Sequence, residues 1–390
     1  MSEGSRATYA NKAALSALGL ANSRHLIPTP ALLCDLALLG DNIDSMAAIA
    51  RTGGVALRPH VKSHKSAFVA RRQLGAGATG LSCAKLSEAE SIVDALWADG
   101  NEVPLSVLLT SPLAGRLSTE RAAALSLRCD LHVVVDHLDG VDELAKSTDA
   151  LSVSLNVLCD VDVGLGRTGV VDGDAALGVV ERVLTYPQLH FAGVQGYGGH
   201  LQHISGREHR RVATIASTER LEKVIRTLER HGHVVPLRTG GGTGTAAIDI
   251  ELGVLNELQP GSYVFMDREY RDALGGDPEG RFAQSLTLLT TVISTNQDGF
   301  VTVDAGLKSM ATDAGVPVVV GHEATSTYSF FGDEQGLVTT SPGHTFVRGQ
   351  RIELVPPHCD PTVDRYDVIW LVHDDVAIDL IDVTARGCSQ

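Results

Sequence analysis

Paired cysteines are missing from this sequence. Its six cysteines (Cys34, Cys83, Cys129, Cys159, Cys359 and Cys388) form no CxxC pair and lie far apart. Most sit in apolar, strand-like surroundings, which predicts buried free thiols in a reducing cytoplasm rather than disulfides. Positive charge is in short supply: Lys+Arg number 32 against 47 Asp+Glu, leaving a net charge of −15. Such a surface repels phosphate backbones, so no nucleic-acid partner is expected. No apolar run approaches the roughly 20 residues of a membrane span. The N-terminal stretch lacks the apolar core and cleavage site of a signal peptide. No repeat at solenoid spacing and no low-complexity tract occurs.

What is present is alternation. In a chain of 390 residues with 44% hydrophobic content, short apolar strands are expected at 31–36, 55–62, 80–85, 104–110, 130–136, 151–160, 190–199 and 236–242. A last stretch at 257–267 returns to the same sheet. Helical patterns fall between them, at 42–51, 87–98, 119–127, 175–184 and 208–231. Strict β/α alternation favours a parallel sheet covered by helices, and this number of units predicts a (β/α)8 barrel, with an open doubly wound sheet as the competing arrangement. Beyond about residue 270 helical periodicity fades and turn-punctuated strands take over. That predicts a C-terminal antiparallel β domain. The expected division is a barrel over 28–270 and a β domain over 271–390, joined near 272–280, with the extension 1–27 packed on the β domain.

In a barrel, chemistry belongs at the C-terminal ends of the strands. The run Arg58-Pro59-His60-Val61-Lys62 ends one of them. A lysine there loses solvation, which favours the neutral, nucleophilic amine and suits Schiff-base chemistry. The two-residue period of a strand puts His60 on the same face. Lysines also flank strands as solvated edge residues, so Lys62 needs support from elsewhere. Thr239-Gly240-Gly241-Gly242-Thr243-Gly244 supplies it: consecutive glycines let backbone N–H groups close around an anion, and a phosphate site after the last barrel strands recurs in this architecture. It lacks the ending of a P-loop.

Asp162-Val163-Gly164-Leu165-Gly166-Arg167-Thr168-Gly169 formally matches GxGxxG. The next helical pattern starts near Asp174, too late for a helix N-terminus to meet a pyrophosphate, so a dinucleotide site is rejected. Its useful residue is Arg167, a permanent cation at the rim. In the β domain, Pro357-His358-Cys359-Asp360-Pro361-Thr362 places His358 and Asp360 on one face if the segment is extended. Imidazole plus carboxylate then suits Mn²⁺, Mg²⁺ or Zn²⁺ with positions left for water and a substrate hydroxyl. Tyr197 and Tyr263 also look purposeful, although either serves equally as a packed aromatic. His200 and His203 are read as polar rim residues. A lysine, an anion nest, an arginine and a tyrosine on one rim suit pyridoxal 5′-phosphate.

Together these segments resemble the alanine-racemase-like pyridoxal-phosphate enzymes of fold type III, and within them the D-threonine aldolase/D-serine dehydratase family. The resemblance runs from Thr29-Pro30-Ala31-Leu32 to Ala385-Arg386-Gly387 and includes Glu257-Leu258-Gln259-Pro260-Gly261-Ser262-Tyr263 and Val303-Asp304-Ala305-Gly306-Leu307-Lys308. It implies that Lys62 is the Schiff-base lysine, with Thr239, Gly241, Gly242, Thr243 and Tyr263 around the cofactor and its phosphate. It further implies Arg167 near the phenolic oxygen, Tyr197 beside the ring, His358 and Asp360 on the metal, and a head-to-tail homodimer. Ala84, Gln335 and Gly198-Gly199-His200 depart from the family's usual residues. The implied reaction is retro-aldol cleavage of a D-3-hydroxy amino acid such as D-threonine to glycine and an aldehyde. His60 or a metal-bound water would act as base. The alternatives are a dehydratase of D-serine or D-3-hydroxyaspartate and a non-catalytic pyridoxal-phosphate carrier. D-serine dehydratases resemble His-x-Cys at the metal motif; Asp360 in that place favours the aldolase.

Overall fold

The computed structural model describes residues 12–98, 105–275, 282–343 and 345–390. Ala31–Asp35 (β1) is followed by eight short strands: Ala56–Leu57 (β2), Leu81–Cys83 (β3), Ser106–Leu109 (β4), Asp130–Val135 (β5), Leu155–Asp160 (β6), Leu189–Gly196 (β7), Leu237–Gly240 (β8) and Glu257–Leu258 (β9). These eight form one sheet in the order β2-β9-β8-β7-β6-β5-β4-β3, with parallel ladders throughout. A bridge between His60 and Ser82 joins β2 to β3 and closes the barrel. Leu108, Val134 and Leu158 meet inside it. Below them the buried pair Arg58–Glu257, at 2.9 Å, spans the interior. Each ion there satisfies the other, which matters because breaking a buried pair leaves an uncompensated charge.

The helices cover the outside. Leu36–Thr52 begins where Asp35 accepts from the amides of Ala37 and Leu38, a side-chain cap that satisfies two otherwise orphaned donors. Leu138–Leu151 occupies a stretch for which the pattern had no element. The following strand therefore starts at Leu155 rather than 151.

One expected barrel strand belongs elsewhere. β1 pairs antiparallel with Leu286–Ser294 and parallel with Val368–His373, inside the second sheet. Its residues are apolar on both faces because that sheet is covered on both. Leu32 and Cys34 join the main core, while Ala31 and Leu33 join a separate cluster with Leu289 and Trp370. Local periodicity cannot report which sheet a two-sided apolar strand enters. The barrel keeps its eight strands because β9 takes the place expected for β1. The lysine segment accordingly follows the first barrel strand, and the glycine-rich loop follows the seventh.

Among the described residues the second sheet has nine strands, β1 included. Residues 12–27 lie on its outer side, where the Gly19 amide donates to the Ala377 carbonyl at 2.8 Å. Of the expected linker, Arg268–Leu274 is a helix and 276–280 lies outside the described residues. The two sheets are tied directly below the lysine segment: Lys65 pairs with Asp364 at 2.7 Å, and the Ala385 amide donates to the Lys65 carbonyl. Among the described residues no helix is long and apolar enough to cross a membrane.

Candidate active site

β2 is only two residues long, but the Arg58 and His60 amides extend its pairing by donating to the Leu258 and Pro260 carbonyls. The chain then makes one 3-10 turn, Val61–Ser63, so Lys62 is not a strand residue and shares no strand face with His60. Instead His60 caps the turn: its Nδ1 accepts from the Lys62 amide at 3.4 Å. The other ring nitrogen, Nε2, lies 3.1 Å from Thr110 Oγ1, whose hydroxyl donates to the Cys83 carbonyl. Nε2 is thus the protonated nitrogen. Burial, and then the Lys62 ammonium, push the His60 pKa down to about 3. Both of its nitrogens are engaged, which leaves it no lone pair for base catalysis.

The Lys62 amine lies 2.6 Å from Asp360 Oδ2, across the junction of the two sheets. Burial works against its charge, but the Asp360 carboxylate outweighs burial and holds the amine above its ordinary pKa. The expected neutral amine is therefore replaced by an ammonium–carboxylate pair. The same pair, with His358, holds Asp360 well below the carboxylate range despite its burial.

The glycine-rich loop leaves β8 at Gly240 and enters the helix Ala246–Leu252. Gln202 supports it from behind: its Oε1 accepts from the Gly244 amide at 2.9 Å. A Cβ on Gly244 would stand 2.1 Å from the Gln202 carbonyl oxygen, so only glycine fits. Gly241 has φ +67, the left-handed conformation that helps turn successive amides toward one point. Thr243 is 5% exposed, yet among the described residues its amide donates to nothing within the chain. An orphaned donor in such a loop fits a phosphate. Thr243 Oγ1 accepts from the Tyr263 amide at 3.1 Å. The Tyr263 ring is fully buried and its hydroxyl accepts from Gln73 at 3.0 Å, so only its backbone faces the loop. Thr239 lies inside the barrel, bonded by Gln259.

The loop after β6 is held by Asp162, whose Oδ1 accepts from the amides of Gly164 and Gly166. The following helix starts at Gly173, late enough to keep a dinucleotide reading out. Arg167 leans over Tyr197, with its guanidinium carbon 5.7 Å from the ring centre. Beneath them Asp160 accepts from Thr168 and Gln195, and burial pushes its pKa up to about 6.

His358 and Asp360 do not form an extended pair. Cys359–Val363 is a short helix with extended His358 before it. Asp267 sets this register: its Oδ2 accepts from the Cys359 amide at 2.8 Å and its Oδ1 from the Tyr270 amide at 2.9 Å. The Cys359 thiol is buried and donates to Asp360 Oδ1 at 3.3 Å. His358 Nδ1 lies 2.8 Å from Asp313 Oδ2. Burial opposes a charged His358 ring, but Asp360 and Asp313 outweigh it and raise its pKa. Nε2 takes no hydrogen bond among the described residues. Among those residues no group of three or more His, Cys, Asp or Glu is placed to hold a metal ion. The available donor set is therefore one imidazole nitrogen and one carboxylate, which fits a divalent cation that keeps water or substrate oxygens.

Two neighbours gain weight. His203 interacts electrostatically with His358, Asp360 and Lys62, and burial pushes its pKa down to about 4. Its Nδ1 lies 3.5 Å from Glu269, its ring meets Tyr270 edge-on, and its buried Nε2 has no hydrogen-bond partner among the described residues. Asp313 drew no attention in the sequence, because a lone aspartate in a loop carries no local signal. Ala84 gives its amide to buried Glu88 at 2.7 Å.

A parallel barrel whose rim is completed by an antiparallel second domain defines the alanine-racemase-like fold, and comparison with known proteins agrees. Residues 34–269 match the family described as "Alanine racemase, N-terminal domain", and 285–372 match "Putative serine dehydratase domain". The chain is 37% identical to a D-threonine aldolase from Arthrobacter sp over 370 residues, 93% of this chain and 94% of that one. It is 33% identical to a 3-hydroxy-D-aspartate aldolase from Paracoccus denitrificans, covering 93% of this chain and 92% of the relative. The crystal structure of D-threonine aldolase from Filomicrobium marinum superposes with a TM-score of 0.89 at 34% identity, over 94% and 98% of the two chains. The chain belongs to the D-threonine aldolase/D-serine dehydratase family of fold-type III pyridoxal-phosphate enzymes.

Proposed function

We propose that this chain is a pyridoxal-phosphate- and divalent-cation-dependent lyase that cleaves the Cα–Cβ bond of D-3-hydroxy amino acids, D-threonine among them, to glycine and an aldehyde. The carrying observation is the 2.6 Å contact between Lys62 and Asp360. It puts the amine that would hold the cofactor beside the carboxylate that would hold the cation. Relatives named as aldolases support the same reading.

Lys62 would carry the cofactor's aldehyde carbon. Gly241, Gly242, Thr243 and Tyr263 would surround its phosphate, with Thr239 below, Arg167 near its phenolic oxygen and Tyr197 beside its ring. The Thr243 amide, unpaired among the described residues, would face the phosphate, while the Gly242 and Tyr263 amides brace the loop on Thr245 and Thr243. The bound cofactor supplies an electron sink for the pair left on Cα. His358 and Asp360 would hold Mn²⁺, Mg²⁺ or Zn²⁺, which acidifies a hydroxyl bound to it. His203 takes the base role in place of His60, because its Nε2 has a free lone pair. A proton leaves the 3-hydroxyl, the C–O bond becomes the aldehyde carbonyl, and a proton arriving at Cα completes glycine. Cys359 points its thiol at Asp360 and is no substitute for a softer ligand, which favours the aldolase over the dehydratase. The reading extends to a cytoplasmic homodimer, supported by six unpaired cysteines and the family resemblance.

Holoenzyme given Mn²⁺ and D-threonine is expected to release glycine and acetaldehyde. Ammonia with a 2-oxo acid would transfer it to the dehydratases, and no turnover of any D-3-hydroxy amino acid would leave a carrier. Lys62→Ala is expected to lose the cofactor's visible absorbance. Asp360→Ala is expected to keep that absorbance and lose metal-stimulated turnover.

A further inference from the structure

His358 is gripped through one ring nitrogen only. Asp313, 45 residues upstream, places Oδ2 at 2.8 Å from Nδ1. Its side chain is 57% exposed, and among the described residues it has no other ion-pair partner. An exposed aspartate is normally free to wander, but this one is held at its base. The Ala311 amide donates to Thr362 Oγ1 at 2.9 Å, and that hydroxyl donates to the His358 carbonyl at 2.7 Å. The Tyr366 hydroxyl also donates to the Ser309 carbonyl at 2.8 Å. The loop bearing Asp313 is therefore stitched to the short helix that carries Asp360.

A carboxylate can only accept. Facing Nδ1, it selects the tautomer with the proton on Nδ1 and leaves the lone pair on Nε2. Nε2 is the nitrogen that makes no hydrogen bond among the described residues. We propose that Asp313 is a positioning residue, orienting His358 and fixing its tautomer so that Nε2 is presented to the divalent cation shared with Asp360. This rests on the cation reading above. A carboxylate behind a ligating imidazole fixes ring orientation and raises its donor strength, and its loss costs metal affinity more than it costs fold. An ordinary surface pair would do neither, since exposed ion pairs contribute little.

The test is Mn²⁺ affinity of pyridoxal-phosphate-loaded protein, read from the electron paramagnetic resonance signal of free Mn²⁺. Asp313→Ala is expected to weaken binding about 10- to 100-fold, with cofactor absorbance and melting temperature at wild-type values. Saturating Mn²⁺ then restores most of kcat. Asp313→Asn retains an acceptor oxygen for Nδ1–H and is expected to keep most of the affinity. Wild-type affinity in Asp313→Ala, alongside lost affinity in a parallel His358→Ala, overturns the positioning role while leaving the cation site standing. Equal losses in Asp313→Ala and Asp313→Asn overturn the tautomer argument in favour of plain charge. Wild-type affinity in His358→Ala removes the cation assignment and this inference with it.

Discussion

The Lys62 amine in the cofactor-free chain carries a proton because Asp360 sits 2.6 Å from it. Its pKa is raised, so removing the carboxylate lowers the pKa and enlarges the neutral fraction at any pH below the raised value. Asp360→Asn is therefore expected to speed acylation of Lys62 in cofactor-free protein at pH 8. Roughly tenfold follows for each unit by which the pKa drops. Limited labelling with acetic anhydride and peptide mass spectrometry measures it; an unchanged labelling rate would show that Asp360 does not control the amine. The candidate residues were legible from their types: lysine for carbonyl chemistry, consecutive glycines for an anion, histidine near aspartate for a cation. Their detailed parts were not. His60 looked like a base, but Thr110 and the Lys62 amide, both supplied by the fold, occupy its nitrogens. The resemblance implies Tyr263 beside the phosphate without saying through which atom, and Gln73 holds its hydroxyl in the core.

In the helix that follows the glycine-rich loop, Asp249 is buried and accepts from Thr245 at 2.6 Å. Burial pushes its pKa up to about 7. Between the ordinary carboxylate value and 7 the folded chain holds a proton that the unfolded chain has released, so stability falls as pH rises through that window. The contribution is fully lost above pH 7 and fully restored at low pH. Asp249→Asn removes the ionisation and keeps an acceptor for Thr245. In cofactor-free protein it is expected to raise the melting temperature by a few degrees at pH 8 and to give no gain near pH 4, measured by calorimetry at both values. A gain of equal size at both would show that the effect is not the proton. At this scale, helices with clear amphipathic spacing, such as Gly173–Leu184 and Arg207–Arg230, were legible nearly to their ends. The helix at Leu138–Leu151 and the turn at Lys62 were not, because short-range pattern competes there with long-range packing.

Across the whole molecule, the site is assembled from both sheets, and the strand that begins the fold serves the second one. Leu33 is fully buried in the cluster with Leu289 and Trp370. Leu33→Ala is expected to cost about 2–5 kcal/mol, the range for a buried leucine whose neighbours cannot close the gap. Denaturant unfolding measures it, with loss of the Lys62–Asp360 register expected as the β domain loosens. A change under about 0.5 kcal/mol, the scale of ordinary surface substitutions, would place β1 outside the load of that sheet. The architecture itself was legible, since β/α alternation followed by turn-punctuated strands admits few packings. Which sheet β1 joins was not, since both offer it burial on two faces.

By itself, the order of residues determined the alternation, the glycine loop, the acidic surface and the chemistry-bearing side chains, because each depends on residue type and short-range spacing. Tertiary structure alone decided that Lys62 meets Asp360 across 298 residues, that His203 rather than His60 keeps a free nitrogen, and that Asp313 stands behind His358. Those meetings follow from how two sheets bury their apolar faces against one another, a sum over the entire chain that no local window contains.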